Sequence, residues 1–221
     1  KDDMVRFAQA TGPEAAPAGE PSLADARLAR AGEADPLGSV PLPLRLRGMA
    51  TALADTLQGH KSAVLVDKLG ERLATERSGV RLYEALEVKV RAARGAPAVD
   101  ADMVGRLRDD EESHYHLLAQ CLVSLGADPT AVTPCADTAG VALQGALQVV
   151  CDPRTTLAQA LGATLMVELT DVAGWDLLAD LAQEAGHSDM AQRFSVAQET
   201  EREHLARVQG WLRAAVLAEA T

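Results

Sequence analysis

Aromatic residues are scarce in this sequence, with two each of Trp, Tyr and Phe in 221 residues, yet 48% of the chain is hydrophobic. The apolar mass is therefore largely Ala and Leu, which lose little entropy in a helix, while β-branched runs that would make strands are few. This balance points to an all-α fold. Basic residues are also outnumbered: 21 Lys and Arg face 32 Asp and Glu, a formal net charge of −11. Duplex nucleic acid and anionic membranes are both bound through such cations, so neither is expected as a partner. Cysteine is limited to Cys121, Cys135 and Cys151, with no C-x-x-C pair. Three cysteines cannot all pair within one chain, and a reducing, cytoplasmic location is the simplest expectation. No run reaches the roughly 18 apolar residues that a membrane span needs, and the basic-then-apolar order of a signal peptide is missing.

Six of the ten prolines fall at positions 13, 17, 21, 36, 41 and 43. Together with Ala, Gly and acidic residues they make residues 1–61 an extended arm. Short helices are expected within it, one after Ser22 and one over Met49 to Leu57. From residue 62 to 218 the pattern changes to apolar residues at alternating steps of three and four, the mark of helices with one buried stripe. The spacing predicts four long helices, over about 62–94, 100–126, 154–185 and 188–218. Gly95 and Pro97 stop the first, and Gly126 and Pro129 the second. The short links make antiparallel hairpins. The longer stretch between them, with a short helix over Val141 to Val150, can cross from one end of the bundle to the other.

Carboxylates interrupt all four stripes at mid-helix, at Glu76, Glu111, Glu168 and Glu201. The second and fourth helices add a histidine three residues later, His114 and His204. Residues three apart share a helix face, so each Glu-x-x-His pair can hold one metal ion. Six buried polar groups without partners would each cost several kcal/mol, whereas four carboxylates balance two divalent cations. The motif alone is weak evidence: Glu184 and His187 match it too, across Gly186 at a helix end.

Repetition is stronger evidence. Glu168 follows Glu76 by 92 residues, and the second Glu-x-x-His motif follows the first by 90. Seven residues after each lone glutamate stands an aromatic, Tyr83 or Trp175, followed by an acid, Glu84 or Asp176. The segments ERSGVRLYEAL and ELTDVAGWDLL align throughout. A duplicated helical hairpin that closes about a two-fold axis would bring all these side chains together on that axis.

The set Glu76, Glu111-x-x-His114, Glu168 and Glu201-x-x-His204 resembles the ferritin-like di-iron carboxylate superfamily, and ETEREHLARV resembles the fourth-helix motif of rubrerythrins. The resemblance covers residues 62–218. It implies a ferritin-like four-helix bundle behind an N-terminal arm, and two metal ions, iron first, with manganese or a mixed pair as alternatives. It also implies reactivity toward hydrogen peroxide or dioxygen. Rubrerythrins proper carry a rubredoxin domain with C-x-x-C pairs, which this chain lacks, so electrons would come from a separate donor. Rubrerythrins have a further carboxylate three residues after the third-helix glutamate. Asp171 stands there, either as an extra ligand or behind the ligands, and Tyr83 either bonds a ligand carboxylate or fills the core. Asp110, Glu112 and Glu203 are candidates to orient the ligand histidines.

Two other outcomes remain open at the level of sequence. Helix one has some likeness to the quinone-hydroxylating branch of the superfamily, which would make the protein a substrate oxygenase. An iron-handling or structural-metal bundle without catalysis is the other. A homodimer is compatible with any of them.

Overall fold

The computed structural model describes residues 22–41, 61–93 and 99–220, which fall into two compact units, one up to Leu37 and one from Gly38. In the first unit a helix, α1, spans Leu23–Glu33. Its start is a capping box: the Ser22 hydroxyl accepts from the Asp25 N–H, and the Asp25 carboxylate accepts from the Ser22 N–H. The helix expected over Met49 to Leu57 lies outside the described residues.

The second unit contains α2 (Lys61–Ala92), α3 (Ala101–Ser124), α4 (Pro134–Cys151), α5 (Leu157–Glu184) and α6 (Ser188–Glu219), with no strand among the described residues. No described helix is long and apolar enough to cross a membrane. α2 packs along α3, and α5 along α6, as two hairpins. The α5–α6 turn closes through Gly186, whose φ of 82° is cheap only for glycine, while the His187 N–H bonds back to the Ala182 carbonyl. α4 is longer than the expected Val141–Val150 segment, because Thr133 caps it and Pro134 opens its first turn.

α4 carries the chain across the bundle. At its start the Thr133 hydroxyl donates to the Asp67 carbonyl, and the Cys135 N–H to the Asp67 carboxylate. At its end Lys89 Nζ donates to the carbonyls of Asp152 and Thr155. Asp67 and Lys89 lie near opposite ends of α2, so α4 runs beside α2 and in the same direction. α5 therefore starts where α2 ends and runs antiparallel to it.

Two apolar clusters hold the four long helices. One joins Leu82, Tyr83, Leu86 and Val90 to Val104, Leu107, Leu161, Val167 and Val208, with Val150 of α4. The other joins Leu65, Leu69 and Leu73 to Leu118, Leu122, Trp175, Leu178 and Phe194. At roughly 1.5–3 kcal/mol for each large side chain buried, these clusters supply the main stabilisation. Between them, at mid-bundle, lies a belt of buried polar groups.

Candidate metal centre

Six residues of that belt come from four helices: Glu76 of α2, Glu111 and His114 of α3, Glu168 of α5, and Glu201 and His204 of α6. The four carboxylates are all 0% exposed, and the histidines are 7% and 2%. Their atoms gather in two groups, each within 4.8 Å: Glu76, His114 and Glu201, and Glu111, Glu168 and His204. Each histidine turns Nδ1 inward. His114 Nδ1 is 2.7 Å from Glu201 Oε1 and 3.7 Å from Glu76 Oε2. His204 Nδ1 is 3.3 Å from Glu201 Oε2, 3.4 Å from Glu111 Oε1 and 4.0 Å from Glu168 Oε2. Glu201 thus touches both groups with separate oxygens.

None of these inward contacts has hydrogen-bond alignment. Every one of the six side chains keeps at least one buried atom without a hydrogen-bond partner, and Glu111 and Glu201 keep both oxygens so. Orphaned polar atoms in a dry interior cost about 1–3 kcal/mol each, and more when charged. Converging carboxylate oxygens and imidazole nitrogens are the donor set that iron and manganese favour.

Electrostatics agree. Burial, then the charges of Glu201, Glu76, Glu168 and Asp171, push Glu111 well above the usual carboxylate range. Burial and the charges of Asp171 and Glu201 do the same to Glu168, against the pull of a Tyr83 hydrogen bond. Burial disfavours charge on His114 as well, but Glu201 and Glu76 overcome it and raise the imidazole to about 10. The two histidines in turn hold Glu201 at about 2, although burial opposes its ionisation. The belt draws positive charge strongly.

Asp171 and Tyr83 are now placed. Tyr83, fully buried, donates its hydroxyl to Glu168 Oε1 at 2.5 Å. Asp171 is 1% exposed and near Glu111 and Glu201, and its Oδ1 accepts from Arg72 Nη1 at 2.8 Å. Burial pushes Asp171 up and Arg72 pulls it back, to about 7. Of the three acids that might orient a histidine, only Asp110 does so, with Oδ2 3.2 Å from His204 Nε2. Glu112 instead sits 3.8 Å from His116 on the exposed face, and Glu203 is exposed. Glu184 and His187 lie at the α5–α6 turn, away from the belt.

Arg72 is the residue that sequence reasoning missed. It is 5% exposed, bonds both Glu76 and Asp171, and lies 5.5 Å from the Trp175 ring centroid. Its one local signal is a position four residues before Glu76, and such pairs are ordinary on solvated helix faces. With every carboxyl ionised and both histidines neutral, as metal ligands are, the five buried carboxylates and one buried guanidinium carry four negative charges, the charge of two divalent cations. The residues present therefore fit a pair of metal ions in number, donor type and charge.

Comparison with solved structures agrees on the fold. A ferritin-like, diiron-carboxylate protein from Bacillus anthracis str. Ames superposes with a TM-score of 0.57 at 18% identity, covering 70% of this chain and 99% of that one. The chain accordingly has the ferritin-like fold. No protein-family model matches the sequence, and a search of curated proteins found no match.

Proposed function

We propose that the belt is a di-metal centre, iron in the first instance, held by Glu76, Glu111, His114, Glu168, Glu201 and His204, and that it reacts with hydrogen peroxide or dioxygen. The observation that carries this reading is the set of six buried, converging side chains with unpartnered atoms. A bound iron pair supplies two exchangeable electrons and open positions for a small oxidant.

The chain's own residues shape that chemistry. The two apolar clusters on either side keep bulk water from the belt, which strengthens every charge interaction within it. Tyr83 holds Glu168 by one oxygen and leaves Oε2 facing His204. Asp110 fixes the ring of His204 and makes its inward nitrogen a better donor. A separate protein or small reductant would return the electrons. We further infer a reducing, cytoplasmic setting from the three cysteines of the sequence, which cannot all pair within one chain.

Elemental analysis of protein purified without added metal, followed by stopped-flow oxidation with peroxide and with dioxygen, tests this. About two iron atoms per chain and an absorbance change with either oxidant are expected. Two irons that neither oxidant alters would leave an iron-handling bundle instead, and absence of metal would remove the centre altogether.

A further inference from the structure

The duplication gives the two halves of the belt matching inward side chains but unlike supports. At the 92-residue offset, Arg72 corresponds to Thr164, Gly79 to Asp171 and Tyr83 to Trp175. At the 90-residue offset, Asp110 corresponds to Thr200. Glu168 receives a neutral donor, the Tyr83 hydroxyl, while its counterpart Glu76 receives the cationic Arg72. Thr164, at the position that would oppose Glu168 as Arg72 opposes Glu76, turns its hydroxyl to its own helix, onto the Ala160 carbonyl.

The histidines differ in the same sense. Behind His204 stands the Asp110 carboxylate. The corresponding residue in the other half is Thr200, whose hydroxyl bonds the Val196 carbonyl, and the His114 ring lies edge-on to Trp175 at 5.3 Å. Arg72 itself is locked in place. Asp171 takes one of its nitrogens, Trp175 covers it, and a Cβ at Gly174 would come within 2.7 Å of Nη1.

We propose that Arg72 and Asp110 make the two sites unequal, so that Glu111, Glu168 and His204 bind the first ion and Glu76, His114 and Glu201 the second. Two physical terms act in one direction. Arg72 occupies Glu76 Oε1, leaving only Oε2 to a metal, and its fixed positive charge repels a cation at that site. Asp110 draws on the outer nitrogen of His204 and raises the basicity of the inner one, an effect absent at His114. Arg72 is a positioning residue here: it acts through Glu76 and touches no substrate.

This inference rests on the di-metal reading, and the test separates the two. Chelator-treated full chain is titrated anaerobically with Mn(II), by calorimetry and by electron paramagnetic resonance, which distinguishes a lone ion from a coupled pair. Wild type should bind in two steps further apart than the about fourfold statistical factor of two equal sites, with the lone-ion signal appearing first. Asp110→Asn should weaken the first step about 10–100-fold. Arg72→Gln should strengthen the second step about tenfold or more and leave the first nearly unchanged. A mere structural prop would give the opposite sign, a weaker second step, and that result overturns the proposal.

Should Arg72→Gln not fold, Asp171→Asn and the double variant decide the matter. Asp171→Asn leaves Arg72 bonded to Glu76 alone and should weaken the second step, and adding Arg72→Gln should restore it. A double variant no tighter than Asp171→Asn refutes the role of Arg72. Two steps of equal affinity in wild type defeat this inference alone, whereas no Mn(II) binding at all defeats the di-metal reading and this inference with it.

Discussion

Replacing Glu111 by Gln should stabilise the metal-free protein and destabilise the metal-loaded one. Glu111 is 0% exposed, neither of its oxygens has a hydrogen-bond partner, and Glu201, Glu76 and Glu168 surround it. Leaving such a group buried costs at least the 1–3 kcal/mol or so of an unsatisfied polar atom. Gln keeps the shape, removes the charge, and offers an N–H₂ group to the neighbouring carboxylates. A gain of about 2 kcal/mol is expected at pH 7 in chelator, or about 4–8 °C in Tm for a chain of this size. The pH dependence follows from the direction of the shift. The folded-state pKa lies above the unfolded value, so the penalty is fully present at pH values above the folded pKa. It fades as pH falls through that pKa toward the ordinary glutamate range, and the advantage of the variant should fade with it. With free Mn(II) at about a thousand times Kd, wild type gains about 4 kcal/mol, or about 8–16 °C, while a variant short of a ligand gains far less. The melting order should therefore cross between chelator and metal when followed by circular dichroism. A Glu111→Gln protein that melts below wild type in chelator, or that rises equally with Mn(II), would refute the reasoning.

Three further outcomes follow from single contacts. Tyr83→Phe removes the hydroxyl that donates to Glu168 Oε1 and should cost about 1–3 kcal/mol in urea unfolding of the metal-free protein; no loss would mean the bond contributes nothing. Gly79→Ala places a Cβ within 2.5 Å of Glu111 Oε2, so it should lower Mn(II) affinity even though alanine favours the helix by about 1 kcal/mol; unchanged calorimetry would show that Glu111 can move aside freely. Lys89→Met unties α2 from the α4–α5 link at two carbonyls and the Thr155 hydroxyl, and should lower stability by about 2–3 kcal/mol while leaving metal stoichiometry at its wild-type value.

Helix identity and approximate limits were legible in the sequence because they depend on local physics: Ala and Leu propensity, stripes at steps of three and four, and breakers such as Gly126 and Pro153. The duplication made the convergence of the six belt residues legible too, since a repeated hairpin places equivalent residues on one axis. Finer burial is not set by period alone. Leu65 is fully buried and its neighbour Val66 half-buried, because the packing of the neighbouring helices settles which residues of α2 face the core. The length of α4 depends on the Thr133 cap, whose hydroxyl accepts from the Ala136 N–H.

What the sequence by itself determined about this protein is its all-helical character, its doubled motif, and the carboxylates and histidines set into apolar stripes. Tertiary structure alone decided which polar residues stand behind them. Asp110, Glu112 and Glu203 look alike along the chain, yet only Asp110 meets a belt histidine, across 94 residues of sequence. Asp171 could have faced the belt freely, yet Arg72, 99 residues earlier, holds one of its oxygens. Pairings of that kind depend on the rotation and offset of one helix against another. A shift of a few ångströms switches an ion pair inside a dry core on or off, and no local pattern records it.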